Sequence, residues 1–179
     1  MKLSAAFVLA VIAGMTLSSC SYLGSYRTEN ARYGRLVDRL LREERLFVRG
    51  EQRLAMKVMP GSEQVHKLQN SVSPGFEFKY RPELHQVIAA VSSQNRVPFS
   101  ADEIRFRLDG EPSTNVEELT SPFLVQTLYP YAHPYYRVFI VDFKGKDVKE
   151  REFTLQTSRG SLSVKLQFSP LEENLVDSL

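Results

Sequence analysis

The chain has 179 residues, a formal net charge of +2 and 42% hydrophobic residues, the proportions of one ordinary globular domain. The small net charge excludes the strongly basic composition of nucleic-acid-binding proteins, so we expect no nucleic-acid partner. The single cysteine, Cys20, excludes an intramolecular disulfide and must serve another purpose.

The first residues have the pattern of a signal peptide. Lys2 precedes an apolar stretch from Leu3 to Leu17, and small residues come just before Cys20. This stretch is shorter than the run of about 20 apolar residues that a transmembrane helix needs. The pattern predicts a signal peptide over residues 1–19, cleaved before Cys20.

The four residues Leu17-Ser18-Ser19-Cys20 resemble the lipobox of bacterial lipoproteins. The resemblance implies a diacylglycerol on the thiol of Cys20, the predicted lipidation site, and acylation (palmitate) of the new amino terminus. Because Ser21 and not aspartate follows the cysteine, the family's sorting rule implies the periplasmic face of the outer membrane. Two or more acyl chains anchor a protein stably. The alternative is an ordinary signal peptide that happens to end near a cysteine.

Residues 20–27 are predicted to be the lipidated cysteine and a tether, and residues 28–45 an amphipathic helix. Its apolar stripe consists of Tyr33, Leu36, Val37, Leu40 and Leu41. Between residues 27 and 57 the chain has nine basic and five acidic residues, a surplus of four. This surplus is either attracted to anionic lipid or forms a solvated helix face packed on the domain.

Beyond residue 45 the hydrophobic period changes from that of a helix to that of strands. Strands are predicted at 54–58, 76–80, 84–92, 104–108, 123–129, 136–143, 153–157 and 162–168, and a short helix at 62–69. The run 84–92 is ambiguous between strand and helix, and its neighbours favour a strand. The fold class predicted is mainly β: an immunoglobulin-like β-sandwich over residues 46–170 behind the amphipathic helix, with a C-terminal tail at 171–179.

Three segments have a layout that resembles a group of uncharacterised lipoproteins of Gram-negative bacteria. They are Arg-Leu-Phe-Val-Arg-Gly at 45–50, Ile-Arg-Phe-Arg-Leu-Asp-Gly at 104–110 and Tyr-Pro-Tyr-Ala-His-Pro-Tyr-Tyr-Arg-Val-Phe at 129–139. The resemblance implies a small immunoglobulin-like sandwich behind a lipid anchor, and it implies no particular activity.

Residues that carry enzyme or metal chemistry are sparse. His66, His85 and His133 are far apart, and none has a second ligand at metal-binding spacing, so we expect surface or loop histidines. The chain has no Gly-x-Ser-x-Gly motif, and its paired carboxylates are adjacent residues that point in different directions. We therefore expect a non-catalytic protein with no metal site and no cofactor.

The segment Tyr129–Tyr136 concentrates four tyrosines and a histidine within eight residues. If this loop is extended, its side chains alternate in direction, which would place Tyr131, His133 and Tyr135 on one side of the loop. These three residues are candidate binding residues. The alternative is a loop whose rings cap the sandwich core, and Tyr129 and Tyr136 are expected to belong to that core.

The sequence thus predicts a periplasmic envelope protein, held on the membrane through Cys20, that acts by protein–protein interaction or assembly support with an envelope protein partner. The alternative is a ligand-binding module for glycan or peptidoglycan that uses the Tyr129–Tyr136 loop. The identity of the partner or ligand and the oligomeric state are left open.

Overall fold

A computed structural model of the chain describes residues 31–72, 80–93, 101–120 and 136–168, apart from residues 146 and 148. Within these ranges the protein is mainly β, with two antiparallel sheets and two helices. The predicted β-sandwich is therefore confirmed at this level of detail. The predicted strand at 76–80 lies outside the described residues except for residue 80, which is in no strand, and the predicted strand at 123–129 and the tail at 171–179 lie outside them entirely.

The elements follow the chain in a simple order. They are α1 (residues 31–40), β1 (Arg42–Val48), β2 (Glu51–Gly61), α2 (Glu63–Val72), β3 (Leu84–Ser93), a 3₁₀ turn (Ala101–Glu103), β4 (Arg105–Leu108), β5 (Glu111–Pro112), β6 (Asn115–Leu119), β7 (Arg137–Lys144), β8 (Glu150–Thr157) and β9 (Gly160–Gln167).

Two sheets pack face to face. The large sheet has the strand order β1-β2-β3-β7-β6, and the small sheet has the order β5-β4-β8-β9. Between them lies an apolar core with three phenylalanines at its centre, Phe106, Phe143 and Phe153. The ring centroid of Phe153 lies 5.8 Å from that of Phe106 and 5.9 Å from that of Phe143, within the range of favourable aromatic contacts.

The other face of the large sheet is covered by the helices. Tyr33, Leu36 and Val37 of α1 and Val65 of α2 belong to a second apolar cluster with inward residues of β2, β3 and β7. The central strands are consequently buried on both faces. Strands of this kind have continuous apolar runs, which explains why residues 84–92 were ambiguous in sequence. The prediction of a strand there is confirmed.

The boundary between helix and strand differs from the prediction. Residues 28–45 were expected to be helical, but the helix ends at residue 40 and β1 begins at Arg42. A two-residue hairpin turn at Arg49 and Gly50, with φ of 53° and 80°, pairs β1 with β2. Such turns match the twist of antiparallel strands, and an edge strand accepts exposed charges, so the polar residues after Leu41 pair as a strand.

Four further differences concern strands. β1, β5 and β6 were not predicted, and Pro60 lies inside β2 instead of ending it. Pro60 pairs with Val87 of β3, but the last β2 residue opposite β1 is Val58. Proline is tolerated there because that part of β2 has β3 as its only described neighbour.

Candidate functional site

The predicted site residues fall outside the part of the chain that the structure describes. This applies to Cys20 and to Tyr131, His133 and Tyr135. Of the tyrosine-rich segment only Tyr136 is described, and it is half-buried against the helix-side cluster. Its ring also lies 5.6 Å from Nζ of Lys57. Tyr136 therefore contributes to the core, as expected.

The prediction of surface or loop histidines is wrong for two of the three. His66 on α2 is 2% exposed, and His85 on β3 is 4% exposed. The reason is their partners, since buried polar groups are normally hydrogen-bonded and each of these rings contacts a polar side chain inside the protein. His133 lies outside the described residues.

His66 belongs to a hydrogen-bonded set of polar residues that we call the Asp142 network, in which His66, Gln86 and Asp142 are buried and Arg81 and Asn115 are exposed. Gln86 Nε2 donates to Asp142 Oδ1 at 2.9 Å, and Gln86 Oε1 contacts His66 Nε2. Asp142 Oδ2 accepts from Arg81 Nη1 at 2.9 Å and from Asn115 Nδ2 at 3.3 Å. The network joins α2, β3, β6 and β7.

The carboxylate of Asp142 determines the direction of the chain of hydrogen bonds. Because a carboxylate only accepts, the amide of Gln86 must turn its NH₂ to Asp142 and its oxygen to His66. His66 therefore donates from Nε2. Burial lowers the pKa of His66, and this outweighs the opposing effects of the Gln86 hydrogen bond and the Asp142 charge.

The space for the Gln86 side chain depends on Gly61. A Cβ atom at residue 61 would lie 3.1 Å from both Cβ and Oε1 of Gln86. Gly61 and Gln86 are partners across β2 and β3, so the absence of a side chain on one strand lets the amide on the other turn toward α2. The Pro60-Gly61 pair that looked like a strand end is thus part of the network's support.

His85 is the sequence neighbour of Gln86 and lies on the opposite face of the large sheet. Its Nε2 lies 3.0 Å from Asp147 Oδ1, which also accepts from Arg151 Nη1 at 2.8 Å. The His85 hydrogen bond is the main reason that the pKa of Asp147 is lowered to about 2. Phe168 packs on the His85 ring with centroids 4.5 Å apart.

Both networks stabilise the fold. A histidine that acts as a general acid or base must reach a substrate, but His66 and His85 are almost fully buried, and each directs Nε2 to a neighbouring side chain. Within the described residues no three His, Cys, Asp or Glu side chains come together as a metal site would require.

A surface cleft of about 430 Å³ lies at one side of the sandwich, between β4 of the small sheet and β6 and β7 of the large sheet. We call this the open side. Phe106 and Phe139 contribute its apolar wall, with ring centroids 5.4 Å apart, and Val116 lies at its rim, 44% exposed. The cleft exists because β5 has two residues and pairs only with Arg107 and Leu108, so the small sheet ends early beside β6.

Charged side chains at the open side are partly neutralised within the protein. Glu118 of β6 forms a two-pronged ion pair with Arg137 of β7, with Nε to Oε1 at 2.6 Å. This hydrogen bonding raises the pKa of Arg137. Arg107 donates to Gln156 Oε1 at 3.1 Å and to the carbonyl of Gly110 at 2.7 Å. Two of the donors of its guanidinium therefore already have partners within the protein.

β6 is held in place mainly through β7. The backbone N–H and the hydroxyl of Thr114 both donate to the carbonyl of Asp142, at 2.8 and 3.0 Å. Together with the side-chain bond from Asn115, these contacts connect the start of β6 to the Asp142 network. The open side and the Asp142 network are therefore structurally coupled.

Comparison of the chain with protein-family models, with curated proteins and with solved structures gives no match. Among the described residues, no helix has the length and apolar character that crossing a membrane requires.

Asp142 and Val116 were not predicted from the sequence as functional candidates. Asp142 interrupts the apolar run at 136–143, and a charged residue inside a strand buried on both faces needs a partner, so a signal was present. Val116 gave no such signal, because its importance depends on Phe106 and Phe139, which are distant in sequence.

Proposed function

We propose that the protein is a lipid-anchored periplasmic protein of the outer membrane that acts without catalysis, by binding an envelope protein partner. The anchor is supported by the lipobox-like Leu17-Ser18-Ser19-Cys20 and by the absence of any other cysteine. The observation that carries the binding function is the open side, where the edge strand β6, with the exposed Val116, adjoins a cleft lined by apolar and charged residues.

The same proposal includes an immunoglobulin-like topology behind an N-terminal amphipathic helix. In immunoglobulin constant-type domains the strands order as ABED in one sheet and CFG in the other. The order β2-β3-β7-β6 corresponds to ABED, and β4-β8-β9 corresponds to CFG, with β5 beside β4 in the position of C′. β1 is then an additional strand next to A. Helical residues 31–40, with a buried apolar stripe, support the helix.

Labelling in cells tests the anchor. The full-length protein should incorporate palmitate and fractionate with the outer membrane, and Cys20→Ala should do neither. Equal labelling of the two proteins would contradict the anchor.

Photo-crosslinking in the same cells tests the binding side. A photoreactive residue in place of Val116 should give an adduct of defined mass with an envelope protein, whereas the same residue in place of Phe47, the other large exposed hydrophobic residue of the described chain, should not. The adduct at position 116 should also require Cys20. Adducts at position 47 alone would contradict the open side as the binding side.

Binding of glycan or peptidoglycan through the Tyr129–Tyr136 loop is the alternative proposal, supported by the density of tyrosine in that segment. Replacing Tyr131, His133 and Tyr135 by alanine should then abolish sedimentation with peptidoglycan and leave the melting temperature unchanged. A large drop in melting temperature would assign the rings to the core instead.

A further inference from the structure

We propose that the outer edge of β6 accepts an extended strand of the partner protein in which apolar and basic residues alternate. This inference rests on the proposed function, and it adds the chemistry of the segment that is bound.

The backbone of β6 provides the first part of the argument. β6 is the last strand of the large sheet, and β7 is its only partner among the described residues. The outer edge of such a strand presents backbone donors and acceptors that pair readily with another extended chain. Side chains of an added strand would alternate between the two faces of the large sheet, so each face can select a different residue type.

On the face toward the small sheet, the added strand would lie over the cleft. Val116 and Glu118 project to this face, since both line the cleft. The cleft wall consists of the Phe106 and Phe139 rings, and Glu118 is already paired with Arg137. Apolar side chains are therefore favoured here, because they cover Val116, which is 44% exposed, and leave no polar group unpaired beside the Glu118–Arg137 ion pair.

On the face toward the helices, the added strand would meet Glu117. This residue shares its face with Leu119, a member of the helix-side cluster. Glu117 is exposed, and within the described residues it forms no ion pair. Opposite charges on neighbouring strands stabilise their pairing, so a basic side chain is favoured beside Glu117.

Two other occupants fit less well. If the β6 edges of two copies paired with each other, the two Glu117 carboxylates would lie near each other, and like charges across strands are unfavourable. An acidic ligand could meet Arg105 and Arg107 of β4, but along the β6 edge it would lie beside the carboxylates of Glu117 and Glu118, and like charges across strands are unfavourable.

Defined peptides test this chemistry. We would measure binding to the full-length protein in a neutral detergent by fluorescence anisotropy, using a labelled short peptide that alternates valine and lysine. An alternating valine–glutamate peptide and a valine–lysine peptide with the residues in two blocks are the controls. Wild type should prefer the alternating valine–lysine peptide over both.

Substitutions on the two edges of the large sheet locate the site. Val116→Asp should weaken binding about tenfold, because it removes an apolar contact and introduces a charge beside the cleft. Glu117→Lys should reverse the peptide preference, so that this variant binds the valine–glutamate peptide about fivefold more tightly than the valine–lysine peptide. The matched changes on β1, Phe47→Asp and Glu44→Lys, should change affinity less than about twofold.

The melting temperature of each variant separates lost binding from lost folding. If Val116→Asp does not fold, Glu117→Lys still tests the site through its reversed preference. The inference is overturned if folded wild type does not bind the alternating peptide, if it prefers the glutamate peptide, or if it self-associates through Val116 instead. If one of these results is obtained but the in-cell adduct at position 116 is still found, the proposed function is retained. Only the inference that the partner strand alternates apolar and basic residues is then rejected.

Discussion

The two edge strands of the large sheet, β1 and β6, differ in what lies beside them on the small sheet. At one edge β1 lies beside β9 of the small sheet, and Leu46 packs directly on Gly160. At the other edge β6 faces the cleft, because the small sheet ends in the two-residue strand β5. An apolar contact closes the first side, whereas hydrogen bonds donated to Asp142 by Thr114 and Asn115 hold the second. A sandwich can therefore leave one side accessible if its edge strand is fixed from within the sheet.

Removing the carboxylate of Asp142 should have the largest effect on stability. Asp142→Ala leaves the buried amide of Gln86 and the amide of Asn115 without their acceptor, so the free energy of unfolding should fall by about 3 kcal/mol. The half-exposed Arg81 regains water and contributes less to this loss. Urea denaturation measures the change.

Asp147→Ala is the control for that experiment. Asp147 also accepts hydrogen bonds from a buried histidine and an arginine, but it is much more exposed than Asp142. A smaller loss than that of Asp142→Ala is expected. Equal losses would mean that the Asp142 network has no special role in holding the open side.

Closure of the other side depends on Gly160. Its φ is +142°, and a Cβ atom there would overlap Leu46 Cδ2. Gly160→Ala should therefore cost about 2 kcal/mol from backbone strain and overlap together. Gly50→Ala, at φ +80° with no atom within 4 Å of the added Cβ, should cost about 1 kcal/mol from backbone strain alone.

A double mutant isolates the contact between Leu46 and Gly160. In the background of Leu46→Ala, the cost of Gly160→Ala should fall to the backbone strain alone, because the overlap with Leu46 is removed. Thermal denaturation of wild type, the two single variants and the double variant gives the coupling free energy between residues 46 and 160. Strict additivity would show that Leu46 does not close this side.

Lowering the pH should destabilise the open side more than the side where β1 lies beside β9. The folded-state pKa of His66 lies below its ordinary value of 6.5, so the folded protein favours neutral His66. Its stabilising contribution is present above pH 6.5 and is lost as the pH falls below that value, because the unfolded chain then binds more protons. Hydrogen exchange of β6 should accelerate in this range more than that of β1.

His66→Gln provides the control, since the step below pH 6.5 should disappear. A second loss of stability should follow between pH 3.8 and about 2, where Asp147, whose folded-state pKa is lowered, becomes protonated. An unchanged step in His66→Gln would assign the titration to another group.

The sequence was most informative where one face of a strand is buried. β4, β8 and β9 show the alternation of a two-residue period, and all three were predicted. β6 was missed because Leu119 is its only buried residue, which leaves no alternation to detect. β1 was missed because its charged first residues continue the polar pattern of the preceding helix.

The candidate site was less predictable than the fold. The cleft combines β4, β6 and β7, and the Asp142 network combines four elements that are far apart in sequence. Local patterns carry no information on such distant pairings. The one local signal, a buried aspartate within an apolar run, indicates that a partner is required but does not identify Gln86 or His66 as members of the network.

Hydrogen exchange at the two edges of the large sheet tests the central claim most directly. Amide exchange in β1 and β6 would be followed in the full-length protein, with and without a saturating concentration of the alternating valine–lysine peptide. A strand added to β6 should slow exchange at residues 115–119 and leave residues 42–48 unchanged. Slowing at β1, or at neither edge while the peptide is bound, would contradict β6 as the docking edge.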